Sequence, residues 1–161
     1  MLRVAVLGIA VIVLLLALLK KEEIVEPILS PPEYQELLTT ILTNHKHSNG
    51  IWCVTSARAA PKTIASYMES DFIKQVPSSC ALWIGEFSPT EHIRENIFEL
   101  ISSCAGRPSL IQIEDTHMTP DIANFIEGII DDTSPTVSYK GKQVYATAVT
   151  VVIYSKLDTN D

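Results

Sequence analysis

Four apolar segments that alternate with amphipathic helical segments predict an α/β fold in which a parallel sheet is flanked by helices. Strands are expected at residues 50–55, 80–86, 109–113 and 144–154. Alternation of strand and helix requires crossover connections, which set parallel strands side by side and lay helices over both faces. The apolar stretch from Ala148 to Tyr154 is typical of a strand that is buried on both faces.

Helix starts are marked by proline and capping residues. Ser30-Pro31-Pro32-Glu33 has the pattern of a capping box with a first-turn proline, and the stripe after it has helical spacing. Its members are Tyr34, Leu37, Leu38, Ile41 and Leu42. A second helix is expected from Pro61 to about Phe72, a third after a capping box at Ser88-Pro89-Thr90-Glu91, and a fourth after Thr119-Pro120.

An unbroken apolar run at residues 4–19 predicts a transmembrane helix that contacts the lipid bilayer. Its 16 residues span roughly 24 Å, and Arg3 and Lys20 can snorkel to reach the ends of a hydrocarbon core of about 30 Å. A cleaved signal peptide is the alternative, but no A-x-A-like site follows the run, which favours an uncleaved anchor. We therefore predict a signal anchor at 1–21, a linker at 22–30 and one domain at 31–161. The flanking charges leave the membrane orientation open.

The soluble part of the chain is acidic. Residues 22–161 carry all 19 acidic residues but only nine of the 12 basic ones, which leaves a formal net charge of −10. A domain of this charge repels nucleic-acid phosphates, so DNA and RNA are not expected partners.

The three cysteines, Cys53, Cys80 and Cys104, form no C-x-x-C pair. This odd number predicts neither a disulfide framework nor a zinc site. Cys53 and Cys80 lie in apolar runs, so we expect buried free thiols at both positions.

The segment that follows the first strand has the layout of a phosphate-binding loop without its glycines. Lys62 and Thr63 occupy the Lys-Ser/Thr positions of G-x-x-x-x-G-K-[ST], but Ser56 and Pro61 stand at the glycine positions. Pro61 removes one N–H from the phosphate cradle and is well suited to start a helix. The loop is therefore predicted to be degenerate, and no cofactor is expected.

Other parts of a nucleotide site are also altered. The third strand ends in Glu114 and Asp115, which reverses the Asp-Glu order expected of carboxylates that manage Mg²⁺ and the attacking water. The last strand ends in Ser155 and Lys156, where a polar sensor residue, commonly Asn, is expected. The sequence ends at Asp161, so we expect neither a nucleotide-sensing lid nor an arginine finger.

The order of these segments resembles the torsin branch of AAA+ proteins. Residues 107–126 resemble the torsin Walker B strand and helix, and residues 139–155 resemble the torsin sensor strand. Residues 55–64 resemble the degenerate loop of the torsin-interacting proteins, which are membrane-anchored torsin activators. This resemblance implies a nucleotide-free AAA+-like domain in the endoplasmic reticulum lumen or perinuclear space, and a torsin-like AAA+ ATPase as partner. The arginine finger of that family has no counterpart at any residue here.

Two other functions remain open from the residues. The chain could be a divergent membrane-tethered NTPase that uses Lys62, Thr63, Glu114 and Asp115, or a structural subunit of a membrane complex. His117 lies close to the two acids and could form an acid–base cluster with them. His45 and His47 have no third ligand nearby in the sequence, so we expect solvated side chains there rather than a metal site.

Overall fold

A computed structural model describes residues 32–46, 48–56, 60–131 and 133–156. The predicted anchor at 1–21, the linker at 22–30 and the capping residues Ser30 and Pro31 lie outside these residues. Within the described part of the chain, no helix has both the length and the apolar character that a membrane crossing requires.

The architecture is a parallel sheet with helices on both faces, as the alternating pattern predicts. In chain order the helices are α1 (Pro32–Asn44), α2 (Pro61–Gln75), α3 (Ile93–Cys104) and α4 (Pro120–Ile130). The strands are β1 (Gly50–Ser56), β2 (Cys80–Ile84), β3 (Ser109–Glu114), β4 (Thr136–Tyr139), β5 (Lys142–Tyr145) and β6 (Val149–Lys156). The main sheet has the order β1-β6-β3-β2, and every pairing in it is parallel.

Each face of the sheet has its own apolar core. On one face, α1 and α2 pack over Val54, Leu110, Val152 and Tyr154. On the other face, α3 and α4 pack over β2, β3 and β6, around residues such as Ile84, Ile111 and Val151. Residues 149–154 of β6 are all buried, which confirms the prediction of a strand covered on both faces.

The predicted last strand at 144–154 is wrong in its first part. Lys142–Tyr145 pairs with Thr136–Tyr139 in a separate antiparallel hairpin, and β6 begins only at Val149. Ala148 has a φ of 55°, a left-handed conformation that interrupts an extended strand. The hairpin turn is Lys140-Gly141 with φ of 48° and 76°, the positive values that a two-residue type I′ turn requires.

One helix start differs from the prediction and another agrees with it. A short 3₁₀ turn at Thr90–His92 precedes α3, and no side-chain cap bonds its first residues, so the capping box predicted at 88–91 is not formed. Ser88 instead accepts a hydrogen bond from the Gly85 amide at 3.1 Å. The cap of α4 is confirmed, because Thr119 accepts a hydrogen bond from the amide of Ile122.

The prediction for the cysteines is wrong. Cys80, the first residue of β2, and Cys104, the last residue of α3, form a disulfide with a Cα–Cα distance of 6.2 Å. The helix runs back along the strand that precedes it, so the two residues meet although 24 positions separate them. Cys53 has a free thiol but is exposed rather than buried, because β1 is an edge strand and Cys53 projects beyond the cover of α3 and α4.

Candidate functional site

A cavity of about 540 Å³ opens at the carboxyl ends of the strands, beside the start of α2. In open parallel α/β sheets this edge is where ligands bind. The lining residues come from the first turn of α2 and from the segments that follow β2 and β3, with Tyr154 from β6. They are Ala60, Pro61, Lys62, Trp83, Gly85, Glu86, Phe87, Ser88, Glu114, Asp115, Thr116 and Tyr154.

The α2 side of the cavity is an ordinary helix start rather than an amide cradle. Pro61 occupies the first helical position and has no N–H to offer. The amides of Thr63 and Ile64 both turn back to the carbonyl of Ala60, at 2.9 and 3.4 Å. At positions 61, 63 and 64 the amide is therefore absent or already bonded within the helix, and none of these three is left to face an anion.

The opposite side of the cavity is acidic. Glu114 ends β3, and Asp115 begins the 3₁₀ turn Asp115–His117, which the Met118 amide closes on the Asp115 carbonyl at 2.9 Å. Glu86 follows β2 and is exposed at the same edge. Among the lining residues that the structure describes, Lys62 is the one cation, and the formal charge of these residues is −2.

Two aromatic side chains form an apolar wall. The rings of Trp83 and Tyr154 meet edge to face with centroids 6.0 Å apart. Burial raises the pKa of the Tyr154 phenol well above its ordinary value, so the hydroxyl stays protonated. It donates a hydrogen bond to Gln112, whose amide in turn donates to the Ala65 carbonyl at 2.8 Å. These two hydrogen bonds fix β6 and β3 against α2 directly below the cavity.

Gly85 allows the Trp83 indole to fold back over the end of β2. A Cβ at position 85 would lie 2.7 Å from the indole Nε1, closer than side-chain atoms pack. The carbonyl oxygen of Gly85 accepts a hydrogen bond from the Ser88 amide at 3.0 Å, and Nε2 of His117 lies 2.6 Å from the same oxygen. The turn over residues 85–88 is thereby held at the rim.

His117 holds that turn rather than facing the cavity. Its ring is 5% exposed, and because Nε2 contacts a carbonyl, Nε2 carries the proton. Nδ1 lies 3.2 Å from the Thr90 hydroxyl and therefore accepts from it. Both ring nitrogens are engaged, so His117 is a positioning residue and not part of an acid–base cluster with Glu114 and Asp115.

The structure brings several predicted site residues together and leaves others apart. Pro61, Lys62, Glu114 and Asp115 line one cavity, whereas half-buried Thr63 is not among its lining residues. The side chains of Ser56 and Lys156 lie outside the described residues. Their backbones pair with each other at the ends of β1 and β6.

The expectation of a solvated His45 is wrong. The ring is 7% exposed, its Nδ1 lies 2.6 Å from the Leu42 carbonyl, and it packs edge-on against Phe72 of α2. It is therefore part of the junction between α1 and α2. His47 lies outside the described residues, and among the residues that are described no group of three or more His, Cys, Asp or Glu is arranged to hold a metal ion.

Sequence reasoning missed the part of the site that follows β2. Trp83, Gly85, Glu86 and Phe87 read as strand and turn along the chain, and only the strand order sets them beside Glu114. The available signal was positional, because residues that follow any parallel strand gather at one edge of the sheet.

No protein-family model matches the chain, and no curated protein matches it at a significant level. The class that the fold and cavity define is an α/β domain with a ligand-sized cavity at the carboxyl edge of a parallel sheet.

Proposed function

We propose that this chain is a single-pass membrane protein whose domain is a nucleotide-free, AAA+-like module that binds a torsin-type AAA+ ATPase. The observation that carries the proposal is the cavity, which has the location of a nucleotide site and a lining unsuited to a nucleotide. The proposed role is therefore contact with a protein partner, with no reaction catalysed by the chain itself.

The order of the strands supports the AAA+-like part of the proposal. A sensor residue can approach a terminal phosphate only if its strand lies beside the strand that leads into the phosphate loop. β6 lies between β1 and β3, so its end is adjacent both to the degenerate loop and to Glu114. The segments that resemble a phosphate loop, a Walker B strand and a sensor strand are thus neighbours in the order that such a site needs.

Charge argues against a nucleotide in this cavity. Three carboxylates and one lysine line it among the described residues, and the triphosphate of ATP brings several more negative charges. Two like charges about 5 Å apart repel by roughly 3 kcal/mol at an effective dielectric constant near 20. At the start of α2, Pro61 has no amide and the Thr63 and Ile64 amides bond the Ala60 carbonyl, so these three positions do not offset the repulsion.

The disulfide supports the proposed compartment. Disulfides persist in the endoplasmic reticulum lumen and are rare in the cytosol, where thiols are kept reduced. Cys80–Cys104 is therefore consistent with a domain on the luminal side of the endoplasmic reticulum or nuclear envelope membrane.

The test is a binding measurement with the full chain in mild detergent. A torsin-type ATPase, held in its ATP state by changing its catalytic glutamate to glutamine, is expected to form a complex with this chain at micromolar concentration and to lose it when ADP replaces ATP. Absence of any complex in either nucleotide state at that concentration would contradict the proposal.

A divergent NTPase is the second candidate, because Lys62, Glu114 and Asp115 line the same cavity. It requires Mg-ATP to bind there. A nucleotide titration therefore separates it from the first candidate without knowledge of the partner.

A further inference from the structure

The strand β1 (Gly50–Ser56) forms one edge of the main sheet. It pairs with β6 on one side, and in the described part of the chain none of its backbone groups bonds to anything beyond that ladder. Ile51 is 38% exposed and Cys53 is exposed, whereas the other edge strand, β2, has no exposed residue. Among the described residues, β1 is therefore the edge that leaves backbone N–H and C=O groups without a neighbouring strand.

β1 has none of the features that keep edge strands apart. Charged residues, proline, bulges and short length are the usual protections. The seven residues of β1 include no charge and no proline. They pair with seven consecutive residues of β6, so the strand has no bulge and is longer than the usual five or six residues. A regular, uncharged edge of this kind can accept a further strand by backbone hydrogen bonding.

The side chains of β1 fit a second copy of the same strand. Trp52 and Val54 lie on the face that α1 and α2 cover, and Ile51, Cys53 and Thr55 therefore lie on the opposite face. Cys53 is the middle residue of the strand, so a two-fold axis through it sets two antiparallel copies with Cys53 opposite Cys53. Ile51 then lies opposite Thr55 of the second copy, and Trp52 lies opposite Val54. Each pair joins uncharged side chains on one face of the sheet.

We propose that β1 pairs with β1 of a second copy of this chain, antiparallel and centred on Cys53, so that two four-stranded sheets become one continuous sheet. A second copy fits better than an unrelated strand, because pairing about a two-fold axis satisfies both edges at once and covers the exposed Ile51 and Cys53 of both copies. A parallel sheet with an antiparallel pairing at its edge is a common arrangement. The inference concerns a different surface from the cavity and does not depend on the proposed ATPase partner.

The first arm of the test uses Cys53 in the full chain in mild detergent. Cys80 and Cys104 are bonded to each other, so Cys53 is the one free thiol of the three cysteines. The short bifunctional thiol reagent dibromobimane is expected to link most of the chain into a covalent dimer. Monobromobimane, which labels the same thiol but cannot bridge two, is the control and is expected to leave a monomer in denaturing electrophoresis.

The second arm places charge at the two-fold axis. Cys53→Lys sets two like charges opposite each other and is expected to raise the Kd of the dimer at least tenfold. Cys53→Asp is expected to do the same, and an equimolar mixture of the two variants is expected to restore the dimer because opposite charges then face each other. Sedimentation in detergent measures the Kd, which for the wild type is expected near 10 μM.

Two control substitutions accompany the second arm. Cys53→Ser removes the thiol without adding charge, and Tyr145→Lys adds a lysine at a position that is 75% exposed on the hairpin. Both are expected to leave the Kd within twofold of the wild type. Circular dichroism and an unchanged melting temperature establish that each variant folds.

The third arm measures amide hydrogen exchange along β1. The amides on its outer side are expected to exchange slowly in the dimer and rapidly in the Cys53→Lys variant, which leaves the edge without a partner strand. Amides that remain slow in that monomeric variant would show that a segment outside the described residues covers the edge, and this result would overturn the inference.

The inference is also overturned if dibromobimane gives no covalent dimer, if Cys53→Lys associates as well as the wild type, or if the mixture of the lysine and aspartate variants fails to associate. A dimer that persists in both charged variants is held by another surface, such as the predicted anchor. The complex with the ATP-state ATPase is measured separately, so failure of the β1 pairing leaves the proposed function standing, and the reverse also holds.

Discussion

Removal of the Cys80–Cys104 disulfide should destabilise the domain by several kcal/mol. Cys80→Ala with Cys104→Ala frees the start of β2 from the end of α3 and leaves Cys53 as the remaining cysteine. Replacement of both partners avoids a stray thiol that could form a new bond with Cys53.

The expected loss in free energy of unfolding follows from the length of the loop that the disulfide closes. With 24 positions between the two cysteines, the chain-entropy relation gives about 3.4 kcal/mol at 25 °C. A domain of about 125 residues unfolds with an entropy near 0.26 kcal/mol per kelvin, so the melting temperature should fall by about 13 °C. The free energy of unfolding of a domain is usually about 5–15 kcal/mol, so this loss is large.

Two assays check the prediction on the full chain. Urea unfolding followed by circular dichroism gives the free energy of unfolding for the wild type and the double variant. Alkylation in denaturant, read by mass spectrometry, counts thiols, and we expect one modified cysteine without reductant and three with it. Ser103→Ala, a substitution at an exposed neighbour of Cys104, is the matched control and should change stability by less than about 0.5 kcal/mol.

Two results would contradict this prediction. Three alkylated cysteines in protein taken from an oxidising compartment would mean that the bond does not form. A loss below about 1 kcal/mol in the double variant would mean that the bond forms but does not constrain the unfolded chain as the loop length requires.

Two further predictions concern polar side chains that form hydrogen bonds between distant parts of the domain. Asn49→Ala should lower the free energy of unfolding in urea by about 3 kcal/mol, because Asn49 forms hydrogen bonds with the carbonyls of Ile129 and Ala146 and with the amide of Val149. The control substitution Asn96→Ala, at an exposed position, should lower it by less than about 0.5 kcal/mol. Equal losses in the two variants would show that the hydrogen bonds of Asn49 do not stabilise the domain. Alkaline pH should also destabilise the domain. Burial is the largest cause that raises the pKa of Tyr34, followed by its hydrogen bond to Asp71 and the negative charge of that residue. The folded state therefore keeps a proton that the unfolded chain releases. Stability should hold below about pH 10 and fall above it by up to about 1.4 kcal/mol per pH unit for each such tyrosine. Tyr34→Phe should reduce that slope, and an unchanged slope would exclude this phenol as its source.

The local sequence pattern was sufficient to predict the strands of the main sheet and the start of α2. The apolar runs at 50–55 and 109–113 are strands within one residue of the predicted ends, and Pro61 begins α2 as its preference for the first helical turn indicates. These features depend on residues close in sequence, which the pattern contains.

Features that depend on distant residues were missed. The Cys80–Cys104 bond requires α3 to return along β2, and the exposure of Cys53 requires knowledge that β1 lies at an edge. The break before β6 depends on Asn49, which bonds Ala146 and Val149 on either side of it. Nothing in the run 144–154 alone indicates that interruption.

Some residues of the candidate site could be predicted from the local sequence, and others could not. Lys62, Glu114 and Asp115 could be named from the sequence because each follows a strand in a motif-like position. Glu86 and Phe87 could not, because they reach the cavity only through the pairing of β2 with β3. Their addition changes the charge and the apolar character of the site, and with them the kind of ligand that fits.

The cavity at the carboxyl edge is proposed to hold no nucleotide, and a thermal-shift measurement with Mg-ATP on the full chain can decide the matter. Ligand at about 100 times its Kd adds roughly 2.7 kcal/mol to stability, which for this domain is a rise of about 10 °C. We predict a shift of less than about 1 °C at millimolar Mg-ATP, unchanged in Lys62→Ala. A rise of several degrees that Lys62→Ala abolishes would contradict the claim.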